Sequence, residues 1–227
     1  MSETAGGYGA GLRIGVGLAA SVFVLGVTFG ALARSDGWGT LAPVVASVTV
    51  FSGSAQFVLV TALAGSGVAW TAIAAAGLIN LRYLPMAVAV TPALKGGRLR
   101  KALESQAVTD GGWVVAHRGG DSFDREVLVG AALAQWPAWI AGTVLGAVLA
   151  PSVHLVHDFG LDVVFPVFFV VLLIDEIKIS RRAQLAALSG GVIAALLLLV
   201  LPTGPALLGG STAALFGLLP KRRSQAC

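Results

Sequence analysis

Residues 49–63 read TVFSGSAQFVLVTAL, and this stretch with its polar centre lies inside a long apolar run. Ser52 and Gln56 are four residues apart, so a regular helix would place them on one face. Two interpretations are open. The small and polar residues either pack against a neighbouring membrane helix, or the helix breaks near Ser52–Gln56 and turns its polar groups toward a ligand. Gln56 favours the second, because apolar neighbours cannot satisfy an amide.

The composition is that of a membrane protein. The chain has 227 residues, of which 56% are hydrophobic and 11% charged, and its mean hydropathy is +0.88. A soluble domain has about 25% charged residues. We expect an all-α polytopic protein with about seven spans, or six if residues 41–64 or the last segment do not cross fully. The apolar segments are residues 12–33, 41–64, 68–94, 127–150, 159–177, 183–201 and 203–220.

The basic residues predict an orientation. With the N-terminus outside and the C-terminus in the cytoplasm, nearly all of the 15 lysines and arginines fall in inner loops. Cytoplasmic loops carry such an excess, so this orientation is expected. The polar residues 95–126 would then lie inside, as an amphipathic interfacial helix and a short loop.

An internal repeat is also predicted within a single domain, residues 1–227. Residues 12–94 and 127–202 both begin with a span that contains two glycines four apart, Gly26/Gly30 and Gly142/Gly146. In the predicted orientation the two halves start on opposite faces, so the repeat would be an inverted three-plus-three arrangement with an extra C-terminal helix. Chance similarity among glycine- and alanine-rich spans is the alternative.

A second polar constellation is GLINLRYLP, residues 77–85. Arg82 lies deep in an apolar run, where arginine is rare and usually faces a cavity or a partner. Pro85 disfavours helix just before itself. A broken helix near Asn80–Pro85, with an unwound turn, would let Asn80 and Arg82 face one cavity. Arginine suits a carboxylate, which belongs either to a substrate or to an internal aspartate. The alternative is an Arg82 that reaches the membrane interface.

Other candidates give fewer predictions. Asp162 precedes Pro166 and either caps a helix or titrates in a proton-coupled transporter. His154 and His157 are three apart without a third ligand, so we predict no metal site. The single cysteine, Cys227, excludes a cysteine-based site. Nucleotide and hydrolase motifs are absent, so neither a cofactor nor enzymatic activity is expected.

Several segments resemble the AzlC family in the same order: GVTFGALA, SVTVFSGSAQFVLVTAL, LINLRYLPMAVAV, AVTD and GLDVVFPVFF. The resemblance covers about residues 12–219. It implies export of leucine, isoleucine, valine and sometimes methionine across the bacterial cytoplasmic membrane, with a small AzlD-type membrane subunit. The chain departs from the family pattern at Ser52 and Ser54, where alanine is usual, at Tyr83, where histidine is usual, and at Gly111, where glutamate follows the aspartate. The missing glutamate weakens the assignment of Asp110 to coupling.

The sequence therefore predicts a proton-coupled exporter of hydrophobic L-amino acids that rocks one repeat against the other, without a nucleic-acid partner. An exporter or channel for another small solute, or a non-transporting scaffold, is the alternative. The predicted substrate-binding residues are Ser52, Gly53, Ser54, Gln56, Asn80 and Arg82, where the last two take the carboxylate or fix the broken helix. The candidate coupling residues are Asp162 and Asp110.

Overall fold

Apolar helices dominate the chain. The computed structural model describes residues 7–66, 68–119, 122–149, 181–201 and 203–213, together with five single residues between 167 and 178. Within these residues, three helices are long and apolar enough to cross a membrane: Tyr8–Ser35, Ala69–Val90 and Arg125–Leu149. The predicted helical membrane fold is confirmed, whereas the number of spans stays a prediction.

The elements of the described ranges follow one another in a simple order, with one small hairpin of strands. They are α1 Tyr8–Ser35, α2 Leu41–Thr49, α3 Gly53–Ser66, α4 Ala69–Asn80, α5 Tyr83–Val90, α6 Arg98–Ser105, α7 Asp110–Ala116, β1 His117–Gly119, β2 Ser122–Phe123, α8 Arg125–Leu149, α9 Arg181–Leu198 and α10 Thr203–Ser211.

Helices α1 and α8 pack backbone against backbone through glycines. A Cβ atom on Gly26 would lie 2.6 Å from the carbonyl oxygen of Trp139, and one on Gly30 or Gly146 would meet a carbonyl oxygen even more closely. A side chain at these positions cannot be accommodated without moving a helix. Close approach through small residues is a common way for membrane helices to associate, because dispersion contacts replace the missing hydrophobic drive.

The same contacts show that α1 and α8 run parallel. Gly15 faces Ala131 near the start of both helices, and Gly30 faces Thr143 further along both. The Arg125 side chain, at the start of α8, donates a hydrogen bond of 2.7 Å to the hydroxyl of Tyr8 at the start of α1. An inverted repeat would run these two helices in opposite directions, so this part of the predicted arrangement is corrected. The repeat itself stays a prediction, since much of its second half lies outside the described residues.

The reason for the correction is that residues 41–66 form a hairpin rather than one span. At 1.5 Å per residue, α2 is about 13 Å long and α3 about 21 Å, both shorter than a hydrocarbon core of about 30 Å. The tip is Phe51, whose ring stacks on Trp136 in the middle of α8 at 5.8 Å between centroids. From there α3 returns along α1, because Phe57 packs on Phe29 and Val60 joins the same apolar cluster. The half-spans α2 and α3 therefore return to the face where α1 ends.

Helices α4 and α5 then cross to the face where α1 and α8 begin. Val90 and the following Leu94 pack with Val127 and Leu128 at the start of α8. One net crossing thus separates α1 from α8, which makes them parallel. The junction of α4 and α5 is tightened rather than unwound: the amide of Leu84 donates to the carbonyl of Leu81, three residues back, at 3.1 Å. A helical bond from residue 85 to Leu81 is impossible, because proline has no N–H.

The segment between α5 and α8 holds the start of α8 in place. Within it, α6 is amphipathic, with Leu99 and Leu103 exposed on one side. Glu104 accepts hydrogen bonds from Arg125, one of them from Nε at 2.7 Å, and both side chains are nearly buried. The hydrogen bonds from this guanidinium lower the pKa of Glu104 to about 2, and Arg100 adds to the effect. This ion pair ties α6 to α8.

Helices α9 and α10 form a separate hairpin that packs on α3 and α4 through α10. Small residues again allow the contact: a Cβ atom on Gly210 would lie 3.0 Å from the carbonyl oxygen of Gly190. The described residues of this hairpin contribute nothing to the lining of the central cavity.

Candidate functional site

A cavity of about 480 Å³ lies midway along α1 and α8. The tip of the α2–α3 hairpin, the junction of α4 and α5, and the start of α7 close its other sides. Its walls are mostly apolar, from Leu18, Val22, Leu25, Phe51, Phe57 and Val114. Polar groups gather at one end, where the two helix interruptions meet α7.

Gln56 explains why a polar residue stands in the apolar run 49–63. Its amide nitrogen donates to the carbonyl of Val50 at 2.6 Å and to that of Ala46 at 3.0 Å, and its amide oxygen accepts from the indole of Trp139 at 3.0 Å. The end of α2 leaves carbonyl groups without helical partners, and in lipid such groups need an internal donor. Gln56 is 3% exposed and lies behind the cavity wall, where it holds the hairpin tip together.

Trp139 anchors this tip to α8. Its indole N–H also donates to Ser47 Oγ at 3.1 Å, and Ser47 shares a hydrogen bond of 2.9 Å with Thr143. The indole ring lies directly over Gly53, since a Cβ atom there would be 2.8 Å from the ring. Gly53 is therefore required for the close approach of the tip to α8.

The two helix interruptions lie side by side. The hydroxyl of Ser52, before α3, donates to the side-chain oxygen of Asn80, at the end of α4, at 2.6 Å. Ser52 Oγ is also 3.5 Å from Ser54 Oγ. The first turn of α3 and the first turn of α5 thus face each other across the polar end of the cavity.

Arg82 is the centre of this polar end. One terminal nitrogen, Nη2, donates to Asp110 Oδ2 at 2.7 Å, to Ser54 Oγ at 2.8 Å and to the hydroxyl of Tyr83 at 3.2 Å. The Tyr83 hydroxyl in turn donates to Asp110 Oδ2 at 3.2 Å. Arg82 and Asp110 keep 30% and 42% of their side-chain surfaces exposed. The Nε–H of Arg82 is buried and has no acceptor among the described residues.

This arrangement suits a small molecule that has charges at one end and an apolar body. Of the described side chains that line the cavity, Arg82 and Asp110 are the charged ones. A guanidinium is the side chain best suited to two parallel hydrogen bonds with a carboxylate. The apolar walls would bury an aliphatic or aromatic group, which is favourable by about 25 cal/mol per Å².

The predicted site residues occupy two layers. Gly53, Ser54, Arg82 and Asp110 line the cavity, whereas Ser52, Gln56 and Asn80 lie outside its lining and hydrogen-bond to the elements that form it. Asp162 and the histidine pair lie outside the described residues. Within the part of the chain that is described, no cluster of three metal-binding side chains occurs.

Several lining residues are absent from the sequence-based prediction, among them Tyr83, Gln135 and Trp139. Gln135 has a recognisable signal, because it is an amide inside the apolar run of α8, as Gln56 is in its own run. The sequence signal at Tyr83 is its departure from the family pattern, which assigns it no role. Trp139 has no such signal, since tryptophan is ordinary in a membrane helix.

The chain is similar in sequence to known membrane proteins, one of them a transport protein. Residues 17–153 match the AzlC protein family. The chain is 31% identical over 170 residues to an uncharacterized membrane protein of Archaeoglobus fulgidus, with 74% of each chain covered. It is 22% identical over 174 residues to the branched-chain amino acid transport protein AzlC of Bacillus subtilis, covering 75% of this chain and 68% of that protein. It is 25% identical over 187 residues to the inner membrane protein YgaZ of Escherichia coli, covering 77% of this chain and 75% of that protein. No solved structure matches the chain. The chain belongs to the AzlC family and is a membrane transport protein.

Proposed function

We propose that this chain exports branched-chain and other hydrophobic L-amino acids, as the large subunit beside a small AzlD-type partner. The observation that carries the proposal is the Arg82–Asp110 pair at the polar end of an otherwise apolar cavity. A free amino acid presents a carboxylate, an ammonium group and a side chain. Arg82 would be the counterpart of the carboxylate, Asp110 that of the ammonium group, and the apolar walls that of the side chain.

The carboxylate would bind at Arg82 beside Ser54 and the first turn of α3. The hydroxyl of Ser54 lies 2.8 Å from the guanidinium, so one anionic group can contact both. The positive end of the α3 macrodipole favours an anion at the same place. Gly53, Ser52, Gln56 and Asn80 would keep the two helix interruptions in position.

The apolar walls would favour the larger aliphatic side chains. Leucine buries three more carbon atoms than alanine, and each buried methylene is worth about 0.8 kcal/mol. A difference of about 2.4 kcal/mol corresponds to a preference of roughly 60-fold. A cavity with Phe51, Phe57, Val22 and Leu25 around the polar end supports such a preference.

An arginine in this position argues against a non-transporting scaffold. Placing arginine at the centre of a membrane helix costs about 2.5–3.5 kcal/mol on insertion scales. Side chains with this cost usually mark a substrate or ion pathway. A scaffold that only binds a partner needs neither the charge nor a cavity.

The face where α1 and α8 begin would be cytoplasmic, in the bacterial inner membrane. The segment between α5 and α8 that contributes to this face contains Lys95, Arg98, Arg100, Lys101 and Arg118, and the positive-inside rule favours the cytoplasm for such a segment. Because α1 begins on this face too, the proposal replaces the expected outside N-terminus with a cytoplasmic one. The C-terminus, expected in the cytoplasm, lies outside the described residues.

Export against a gradient would be coupled to proton entry. Asp110 is a candidate coupling group because it is exposed to the cavity. Asp162 remains a candidate from the sequence.

Efflux of leucine tests the function. Cells that lack their own leucine exporters are loaded with a leucine-containing dipeptide, and the leucine released is measured with the chain alone and with its small membrane partner. We expect Arg82→Ala to reduce efflux to that of cells without the chain, at an equal amount of protein in the membrane. Arg118→Ala is the matched control, because it removes an arginine whose partner, Asp124, lies outside the central cavity. Wild-type efflux by the Arg82→Ala variant would contradict the proposal.

A further inference from the structure

We propose that Asp110 binds the ammonium group of the substrate, and that the Arg82–Asp110 pair opens to receive an amino-acid zwitterion between its two charges. The inference rests on the proposed function and adds to it the acceptor that recognises the α-amino group. Asp110 would be a specificity-determining residue, since it separates amino acids from other carboxylates of the same shape.

The first argument is the position of Asp110 within the cavity. Its Oδ2 atom accepts hydrogen bonds from Arg82 and Tyr83, and its Oδ1 atom accepts none from the described residues. The side chain keeps 42% of its surface exposed. One carboxylate oxygen is therefore available to a ligand without any rearrangement of α7.

The second argument concerns the incomplete use of Arg82. A single nitrogen, Nη2, makes all its described hydrogen bonds, while Nε is buried without a partner. A guanidinium normally binds a carboxylate through two parallel N–H groups. The contact with Asp110 uses one nitrogen, so a substrate carboxylate that approaches in the two-pronged geometry would bind Arg82 more completely.

The third argument is charge balance. Arg82 and Asp110 are the charged side chains among the described residues that line the cavity. A carboxylate that displaced Asp110 from Arg82 would leave Asp110 without a cation, and an amine that took Asp110 would leave Arg82 without an anion. A zwitterion pairs with both at once, so every charge in the occupied cavity keeps a partner. An unpaired charge in such surroundings is costly.

This reasoning predicts a strong preference for the complete zwitterion. Hydrogen bonds to charged groups are lost when the ammonium is replaced by a hydroxyl, and we expect an affinity lower by about 10–100-fold for such an analogue. The analogue that isolates this effect is 2-hydroxyisocaproate, which has the carboxylate and side chain of leucine. Isopentylamine isolates the opposite effect, because it lacks the carboxylate.

The test is equilibrium binding of leucine, 2-hydroxyisocaproate and isopentylamine to the purified full chain in lipid nanodiscs. We expect wild type to bind leucine at least about 10-fold more tightly than either analogue. Asp110→Asn should weaken leucine about 10–100-fold and should not weaken 2-hydroxyisocaproate, which no longer has to displace a charged Asp110 from Arg82, so the preference disappears. Asp110→Glu, which keeps the charge, should retain most of the preference. Asp36→Asn, at the end of α1 and outside the cavity lining, is the matched control.

The outcomes separate this inference from the function on which it rests. If wild type binds leucine and 2-hydroxyisocaproate equally, the assignment of Asp110 is overturned, whether or not the variants fold. The same holds if Asp110→Asn keeps the wild-type preference. If wild type neither binds nor exports leucine or other hydrophobic amino acids, the proposed function fails, and the inference fails with it.

Discussion

Replacing Gln56 with leucine tests whether one amide holds the tip of the α2–α3 hairpin. The variant loses the hydrogen bonds to the carbonyls of Val50 and Ala46 and the bond from Trp139. The Ala46 carbonyl still accepts a hydrogen bond from the amide of Val50 at 2.8 Å, and the Trp139 indole still donates one to Ser47. The carbonyl of Val50 keeps no partner among the described residues. An orphaned buried acceptor costs about 1–3 kcal/mol, and the two weakened contacts bring the total to about 2–4 kcal/mol.

Thermal unfolding of the purified protein in detergent measures this loss. For a chain of this size, about 2–4 kcal/mol corresponds to a midpoint roughly 4–16 °C lower. Gln106→Leu is the control, because Gln106 is exposed at the end of α6, and it should change the stability by less than about 0.5 kcal/mol. Gln56→Glu should also be destabilised, since a carboxylate cannot donate to Val50. A Gln56→Leu midpoint equal to that of wild type would refute the reasoning.

Two further predictions concern stability and orientation. The folded-state pKa of Glu104 is lowered to about 2, so its pair with Arg125 stabilises the protein above about pH 4.5 and is lost as the pH falls toward 2. We expect the wild-type unfolding midpoint to fall more between about pH 5 and about pH 3 than that of Glu104→Gln; equal falls would exclude this role. For orientation, Cys227→Ser removes the native thiol before Asp36→Cys or Ser122→Cys is added. A membrane-impermeant maleimide applied to intact cells should label Asp36→Cys but not Ser122→Cys, and the reverse pattern would invert the proposed topology.

Local chemistry made part of this fold predictable. The long apolar runs predict membrane helices, and the described part of the chain has three of sufficient length. Both interruptions were also predictable, because each depends on one residue type: Gln56 needs backbone carbonyls that a regular helix does not expose, and Pro85 cannot complete the preceding turn. The second interruption is nevertheless a tightened turn, since Leu81 and Arg82 keep helical backbone angles.

The direction of the chain after its first interruption was not predictable in this way. Residues 41–64 are long enough to cross a membrane, and a break in the middle is compatible with both a kinked span and a hairpin. Contacts between distant parts of the chain decide it: Phe51 stacks on Trp136, and Gln56 bonds to Trp139. Counting residues 41–64 as one crossing reversed the expected direction of α8 relative to α1.

Several residues of the candidate site were predictable from the sequence, but their pairing was not. The charged and polar residues 52–56 and 80–82 stand out in their apolar surroundings, and they lie close together. The partner of Arg82 is 28 residues away in a polar segment. The family resemblance makes Asp110 a candidate there, but nothing in the sequence pairs it with Arg82. The pairing depends on how α7 packs against α8 and α1, which residue patterns do not specify.

The glycine contacts between α1 and α8 restrict how such a transporter can change shape. Carbonyl oxygens of α8 lie against α1 at Gly11, Gly15, Gly26 and Gly30, so sliding or rotating either helix would bring side chains against the backbone of the other. Helices α1 and α8, one from each half of the chain, therefore form a rigid pair that runs through the protein. The cavity would be exposed alternately to the two sides of the membrane by movement of the α2–α3 hairpin, the α4–α5 helix and α7 relative to this rigid pair. A crosslink between α1 and α8 should then leave the transport cycle intact, whereas one between α3 and α8 should stop it.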